Sequence, residues 1–340
     1  MAGALRALLA DHQRRHPAMA REDQVKLVFQ ALMGVGHLLA GREQVTAYLR
    51  REMAALAPDP VEPLTETVGP DWFRLNLRRA MAEGLTPEAV AGLMLASTDR
   101  GAHTRADVRR FCEEAVPDAD LSLLDRPDWL PSHSAAYRAA ERPAYRLISA
   151  DWLPCLEAVC LVSRTLAAVP RPLVTLDGPC ASGKTTLAGR LASVFAAAVA
   201  HTDDYVIPHA RKTPERLAVP GGNCDAERLL QDVLLPWKEG RAVRYRPYDC
   251  AADRICPAQA LPDAPLLILE GSYANLPGLR ALADARLFLS VPRETRLSRL
   301  KERESAGSFQ RYLDRWIPLE EAYFSAYGLP DREICVITCT

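Results

Sequence analysis

The fold is decided by one stretch, residues 173–187, which reads Leu173-Val-Thr-Leu-Asp-Gly-Pro-Cys-Ala-Ser-Gly-Lys-Thr-Thr-Leu187. It contains the pattern G-x-x-x-x-G-K-T, with an apolar run before it and an amphipathic helix predicted after it, over 185–195. Glycines let a backbone curl so that several N–H groups point at phosphate oxygens. A chance glycine-rich turn would lack the strand on one side and the helix on the other, so the stretch predicts a phosphate-binding loop.

Each part of this loop has an expected contact with a nucleoside triphosphate. Lys184 reaches the β- and γ-phosphates, the Thr185 hydroxyl binds Mg²⁺, and the helix places its positive N-terminal end at the anion. The expected cofactors are therefore a nucleoside triphosphate and Mg²⁺. The residues expected to bind the nucleotide are Gly178, Pro179, Cys180, Ala181, Ser182, Gly183, Lys184, Thr185 and Thr186.

Composition limits the remaining possibilities. A chain of 340 residues exceeds one typical core, so two domains are expected. The net charge is −1 and no apolar run is long enough to span a bilayer, which argues against nucleic-acid and membrane partners. The first residues are charged too early for a signal peptide, and the nine cysteines show no zinc-site spacing. These features indicate a cytoplasmic protein with free thiols.

The first half of the chain, 1–168, is predicted to be a mostly helical domain without strands. Helical spacing or capping signals predict helices over 20–39, 42–56, 72–81, 87–95, 104–115 and 154–168. His37 interrupts one of these patterns among glycines, where a packed histidine is a simpler interpretation than a ligand. No family is recognised for this half from its sequence. Substrate choice, regulation and homo-oligomerisation are all left open for it.

In the second half, 172–340, the spacing of the apolar residues changes. Short apolar runs at 173–176, 266–269, 287–291 and 334–337 are separated by helical stretches. This alternation is typical of an α/β fold, in which a parallel sheet is flanked by helices. The segment 169–172, Val-Pro-Arg-Pro, is the expected linker between the two domains.

Five further motifs follow the loop in order. They are His-Thr-Asp-Asp-Tyr-Val-Ile-Pro at 201–208, Gly-Asn-Cys-Asp at 222–225, Arg-Tyr-Arg-Pro-Tyr-Asp at 244–249, Leu-Leu-Ile-Leu-Glu-Gly-Ser-Tyr-Ala at 266–274, and an arginine-rich helix at 292–303. The fourth is an apolar strand that ends in Glu270, an arrangement in which the carboxylate holds Mg²⁺. In the fifth, Arg296, Arg299 and Arg303 share one helix face.

Together these motifs give the second half a resemblance to the uridine kinase and phosphoribulokinase group of P-loop kinases, and this resemblance implies that the triphosphate is ATP. The resemblance implies that Asp203 is the general base and lies near Mg²⁺ together with Thr185 and Glu270, and that Asp204 contacts the acceptor. One carboxylate at the nucleophile suffices, because phosphoryl transfer depends mostly on positioning and charge neutralisation. The plainer alternative is a pair of aspartates that only end a strand.

The resemblance also implies an acceptor site and a lid. Asp225 would hold ribose hydroxyls, although an aspartate here could equally cap the next helix. Tyr248 would line the acceptor. Arg299 and Arg303 would act catalytically from a mobile lid and Arg296 would contact the substrate, the alternative being a solvated charged helix.

The sequence departs from the uridine kinase pattern at two positions of the acceptor site. Val206 stands where those enzymes have an aromatic residue, and they carry a histidine near Asp253. The sequence therefore predicts a kinase for a small hydroxylated metabolite, with a nucleoside favoured and the exact acceptor open. The alternative is a non-catalytic or regulatory ATP-binding module that controls the helical half.

Overall fold

The computed structural model describes residues 2–34, 41–98, 103–125 and 130–339. His37 lies outside these ranges. The chain divides into two compact units, Met1–Leu153 and Pro154–Thr340. The helix Leu156–Ala168, which the sequence analysis placed in the helical half, groups with the second unit.

The first unit combines helices with a small antiparallel sheet in the order β1-β2-β3. Its elements are α1 (Ala2–Arg15), α2 (Arg21–Met33), α3 (Arg42–Ala54), β1 (Thr65–Val68), β2 (Trp72–Asn76), α4 (Leu77–Ala82), α5 (Pro87–Leu95), α6 (Arg105–Ala115), α7 (Ala135–Glu141) and β3 (Tyr145–Ser149).

The sheet corrects the expectation that this half lacks strands. Trp72–Asn76, predicted as the start of a helix, is the central strand β2, and the helix begins only at Leu77. Four successive residues of β2 are buried, so the strand shows no alternation of polar and apolar residues. Its pairing partners are remote in sequence, as with Phe73 opposite Ile148. The helices nevertheless contain many more of the described residues of this unit than the strands do.

Local signals explain α5, whose bounds agree with the sequence prediction. The Thr86 side chain accepts a hydrogen bond from the backbone N–H of Ala89, and Pro87 occupies the first turn, where its missing N–H costs nothing. The core of the unit is formed by α1, α2, α6 and the sheet, with Leu27, Val28 and Trp72 almost fully buried.

The second unit begins with α8 (Leu156–Ala168) and alternates strands with helices. Its elements continue as β4 (Leu173–Asp177), α9 (Lys184–Phe195), β5 (Ala198–His201), α10 (Pro214–Ala218), α11 (Ala226–Leu229), α12 (Leu235–Lys238), the two-residue strands β6 (Arg244–Tyr245), β7 (Tyr248–Asp249), β8 (Arg254–Ile255) and β9 (Gln259–Ala260), β10 (Leu267–Glu270), α13 (Pro277–Arg280), β11 (Ala285–Ser290), α14 (Arg293–Arg303), α15 (Ala306–Arg311), α16 (Ile317–Tyr327) and β12 (Cys335–Thr338).

A five-stranded parallel sheet in the order β12-β11-β4-β10-β5 is the frame of this unit. The predicted α/β fold, in which helices flank a parallel sheet, is confirmed. In register, Glu270 at the end of β10 lies opposite Leu176 of β4 and His201 of β5. The carboxyl ends of three adjacent strands therefore meet at one edge, where α/β sheets bind their ligands. None of the helices in the described ranges is both long and apolar enough to cross a membrane.

Candidate active site

The loop between β4 and α9 has the backbone of a phosphate cradle. Gly178 has φ 143° and Gly183 has φ 99°, conformations that side-chain-bearing residues rarely adopt. A Cβ atom on Gly178 would lie 2.5 Å from the backbone oxygen of Leu289 in β11. Glycine is therefore required at position 178 both by its backbone angle and by the close approach of a neighbouring strand.

Two polar groups in this loop are suited to an anion. Lys184 is buried, and its Nζ donates to the backbone oxygen of Pro179 at 2.9 Å, which curls the side chain back over the loop. The Ser182 hydroxyl is also buried and has no hydrogen-bond partner among the described residues. A buried hydroxyl without a partner is rare, and a bound phosphate oxygen would supply one.

Glu270 forms a second centre beside the loop. Its Oε1 accepts from the Thr185 hydroxyl at 3.1 Å and lies 2.5 Å from Nδ1 of His201. Its Oε2 is buried and unpartnered within the described part of the chain. Thr185 and Glu270, both predicted as Mg²⁺ ligands, are thus neighbours, and the free carboxylate oxygen suits a divalent cation.

His201 is a site residue that the sequence analysis did not assign. Its hydrogen bond to Glu270 raises the pKa of the imidazole above the ordinary value of 6.5. The signal that could have identified it is positional, because His201 ends the strand next to β10, in register with Glu270.

Asp203 and Asp204 follow β5 in a short helical turn, Thr202–Tyr205. Asp203 is accessible to solvent although many protein atoms surround it, whereas Asp204 is half-buried. Desolvation raises the pKa of Asp203, the charge of Glu270 adds to that increase, and the charge of Lys184 opposes it. A carboxylate with a raised pKa beside the phosphate loop is the arrangement expected of a proton acceptor.

Glu320, on α16, is a second residue that the sequence did not reveal. One carboxylate oxygen accepts from the backbone N–H of Cys180 at 2.9 Å, and the other accepts from the Ser272 hydroxyl at 2.6 Å. Because Ser272 also lies 3.5 Å from Nζ of Lys184, Glu320 links α16 to the lysine of the loop. The Cys180 N–H, predicted to bind the nucleotide, is engaged by Glu320 in this structure.

Asp177 anchors the start of the loop from within the sheet. It is fully buried and accepts hydrogen bonds from the N–H groups of Gly178 and Asn275 and from the hydroxyl of Tyr323. Burial raises its pKa to about 6, even though these three donors favour the charged form. The aspartate therefore holds β4, the loop after β10 and α16 together behind the phosphate cradle.

The arginines predicted to form a lid lie on α14. Arg296 is buried and contacts the backbone oxygens of Val291 and Cys180 at 3.3 and 3.4 Å. Arg299 donates to the oxygens of Ala181 and Ser182 at 3.3 and 3.2 Å. Both guanidinium groups thus contact the phosphate loop itself through its carbonyl oxygens.

Arg303 has different surroundings from the other two. It pairs with Glu304 at 2.9 Å and lies 3.4 Å from the hydroxyl of Tyr312. Its side chain is 58% exposed, so it retains room to move toward a ligand.

The predicted acceptor residue Asp225 is buried at the start of α11. Its carboxylate caps no N–H of that helix in the described structure and instead binds Arg211 at 2.8 Å, with Arg228 3.6 Å away. Arg228 also donates to the backbone oxygen of Asp204 at 3.2 Å. The helix-capping interpretation of Asp225 therefore lacks its hydrogen bond, and the arginine connects Asp225 to the 203–204 turn.

Tyr248 lies in the same region and is buried. Its hydroxyl donates to Asp253, and burial together with this carboxylate raises the pKa of Tyr248 to about 12. The backbone N–H of His209 donates to Asp253 at 3.0 Å, and its imidazole Nδ1 lies 3.5 Å from the same carboxylate. A histidine is thus present beside Asp253, although it comes from a segment 44 residues earlier in the chain.

Comparisons with known proteins give similarities for about half of the chain. No protein-family model matches the sequence, and no curated protein matches it. Among solved structures, a candidate uridine kinase from Bacillus stearothermophilus is 19% identical, with a TM-score of 0.41; the match covers 52% of this chain and 95% of that one. A candidate fructose transport system kinase from Silicibacter sp. TM1040 is 26% identical, with a TM-score of 0.40, covering 50% and 90%. Both of these solved structures are described as kinases, and each match covers about half of this chain.

Proposed function

We propose that the second unit is an ATP- and Mg²⁺-dependent kinase that transfers the γ-phosphoryl group to a hydroxyl of a small metabolite, with a nucleoside as the favoured acceptor. The observation that carries this proposal is the placement of Asp203, Lys184 and Glu270 at the carboxyl ends of three adjacent strands of the sheet. A nucleotide-binding module needs the lysine and the carboxylate at the metal, whereas a kinase also needs a base beside them.

The residues at the edge of the sheet fit the two cofactors. Ser182 and Lys184 offer a hydroxyl and a cation to the phosphates, and Thr185 with the unpartnered oxygen of Glu270 would hold Mg²⁺. When bound, Mg²⁺ neutralises charge that develops on the transferring group. His201 fixes the orientation of the Glu270 carboxylate through its hydrogen bond to the other oxygen.

We assign the roles of the chain's own residues on the basis of this geometry. Asp203 accepts the proton of the acceptor hydroxyl, and its raised pKa keeps the ionised form basic enough for that role. Arg296 and Arg299 support the loop through its carbonyl oxygens, while Arg303 is free to approach the phosphates. Asp204, Asp225 and Tyr248 shape the acceptor side.

The acceptor assignment rests on the Asp225 carboxylate and on the residues around Asp253. Carboxylates that bind arginine can also accept hydrogen bonds from sugar hydroxyls, which suits a ribose. The base-binding part of the site differs from the uridine kinase pattern at Val206, so other nucleosides and sugars belong in the same screen.

The test is an acceptor screen with γ-labelled ATP and Mg²⁺ against nucleosides and small sugars. We expect label transfer to at least one acceptor and loss of transfer in Lys184→Met, which keeps the length of the side chain and removes the charge. Lys301→Met, on the exposed face of α14, is the matched control and should transfer normally. Nucleotide binding with no transfer to any acceptor would instead support the regulatory module.

A further inference from the structure

A polar cluster in the first unit lies outside the proposed kinase chemistry. It is formed by His12 of α1, His16 one turn later, and Glu66 of β1. One ligand atom from each residue lies within 4.8 Å of the other two. Nδ1 of His12 is 3.6 Å from Glu66 Oε1, and Nε2 of His16 is 2.7 Å from the same oxygen.

The histidine rings are oriented by partners on their far sides. Nε2 of His12 lies 2.9 Å from the backbone oxygen of Thr67, which can only accept, so this nitrogen carries the hydrogen. Nδ1 of His16 lies 2.9 Å from Glu141 Oε2. A carbonyl or carboxylate behind the ring is the usual support of a histidine that binds a metal through its other nitrogen.

His12 supplies the observation that points to a ligand. The side chain is fully buried, and its Nδ1 has no hydrogen-bond partner among the residues described. Because Nε2 carries the hydrogen that points at Thr67 O, Nδ1 of the neutral ring presents a lone pair. Buried acceptors are nearly always satisfied, and this lone pair faces the Glu66 carboxylate, which cannot donate to it.

The geometry points to a Zn²⁺ site: we propose that His12 Nδ1, His16 Nε2 and Glu66 Oε1 bind one zinc ion, with water in the fourth position. Two histidines and a glutamate are an established zinc ligand set. Tetrahedral ligands at zinc distances are about 3.4 Å apart, close to the 3.6 Å between His12 and Glu66. The 2.7 Å hydrogen-bond distance between His16 and Glu66 must lengthen toward that value when the ion replaces the hydrogen. When the ion binds, Nε2 of His16 loses its proton to solvent, and the zinc ion takes the place of that proton.

Two arginines bound to Glu66 affect this site in opposite ways. Arg74 is buried and donates to Oε2 at 2.8 Å, which orients the carboxylate and leaves Oε1 directed at the histidines. Arg15 is 41% exposed and lies 2.6 Å from Oε1, the proposed ligand atom. Zinc therefore competes with Arg15 for Glu66 Oε1. When Arg15 releases this oxygen, it can keep its ion pair with Asp11, which is 2.7 Å away.

The test measures Zn²⁺ binding to the metal-free full chain by competition with a zinc indicator, and repeats it with Co²⁺ by visible absorption. The parent should bind one ion that His16→Gln and Glu66→Gln do not bind. Free thiols and His201 elsewhere in the chain contribute equally to parent and variants, so the difference between them reports the cluster.

Graded variants make the test decisive even where a ligand variant folds poorly. Glu141→Ala should weaken binding about 10–100-fold without abolishing it. Arg15→Ala should tighten it about 2–5-fold, the value of an exposed ion pair. Arg14→Ala is the matched control, because Arg14 binds Asp11 rather than Glu66, and its affinity should equal that of the parent. Equal zinc stoichiometry in parent and His16→Gln overturns the site, as does an Arg15→Ala affinity no tighter than that of Arg14→Ala.

Discussion

At the scale of single residues, Asp203 and Asp204 are adjacent in the chain but differ in surroundings. Asp203 faces the charges of Lys184 and Glu270, whereas the backbone of Asp204 is held by Arg228. We expect Asp203→Asn to lower kcat by about 10²–10⁴-fold, because the amide keeps the shape and cannot accept the proton. Nucleotide affinity should change far less. Steady-state kinetics with the acceptor found in the screen measure both quantities, and Asp204→Asn, a change at the neighbouring carboxylate on the acceptor side, is measured beside it to test which aspartate is the base. A larger loss in Asp204→Asn would assign the base to Asp204.

The same carboxyl predicts a pH dependence. Desolvation raises the pKa of Asp203 above its ordinary value of 3.8. The base must be ionised, so kcat should fall as the pH decreases through this raised pKa and remain level above it. A kcat profile measured from pH 4 to 8 tests this sign. The residual activity of Asp203→Asn should not show this fall of kcat at low pH. If the fall persists in the variant, a titratable group other than Asp203 causes it.

At the scale of elements, the sequence predicts those helices and loops whose determining residues lie within a few positions of one another. The helix Pro87–Leu95 was predicted with its bounds because Thr86 and Pro87 act within one turn. The phosphate loop was predicted for the same reason. Strand β2 was missed since its partners are far along the chain, and Glu320 was missed because it meets the loop from 140 residues away. No local pattern distinguishes such a glutamate from an exposed helical one.

Gly178 is needed for the structure of the phosphate loop as well as for its sequence motif. Alanine there combines φ 143° with a Cβ atom 2.5 Å from Leu289 O, so Gly178→Ala should destabilise the second unit by at least ~1–3 kcal/mol. Gly189→Ala is the control, since its Cβ would meet open space on α9, and it should stabilise by ~1 kcal/mol. Denaturant unfolding measures both. Equal stability of the two variants would contradict this account of the loop.

Two arginines of helix α14 are expected to have different roles, one supporting the phosphate loop and the other contacting the ligand. Arg299 binds two carbonyl oxygens of the loop, whereas Arg303 is largely exposed. Arg299→Ala should raise the nucleotide Kd as well as lower kcat, because the loop loses its support. Arg303→Ala should lower kcat with little change in Kd, because its contact forms only near the transition state. Nucleotide titration and turnover of the same two proteins give the comparison, and a matching increase in Kd for Arg303→Ala would place both arginines in the loop support.

At the scale of the whole molecule, each unit has its own buried core. A ligand that binds only the native second unit should stabilise that unit by mass action, by about 2.7 kcal/mol at a concentration of 100 Kd. We therefore expect a non-hydrolysable ATP analogue with Mg²⁺ to slow hydrogen exchange in the sheet of the second unit and to leave β1–β3 unchanged. Hydrogen exchange on the full chain measures both sheets in one experiment. Lys184→Met should abolish the effect, because the analogue then lacks its main cation. Equal slowing in β1–β3 would show that the two cores unfold as one cooperative unit, in which nucleotide occupancy is sensed by the whole chain.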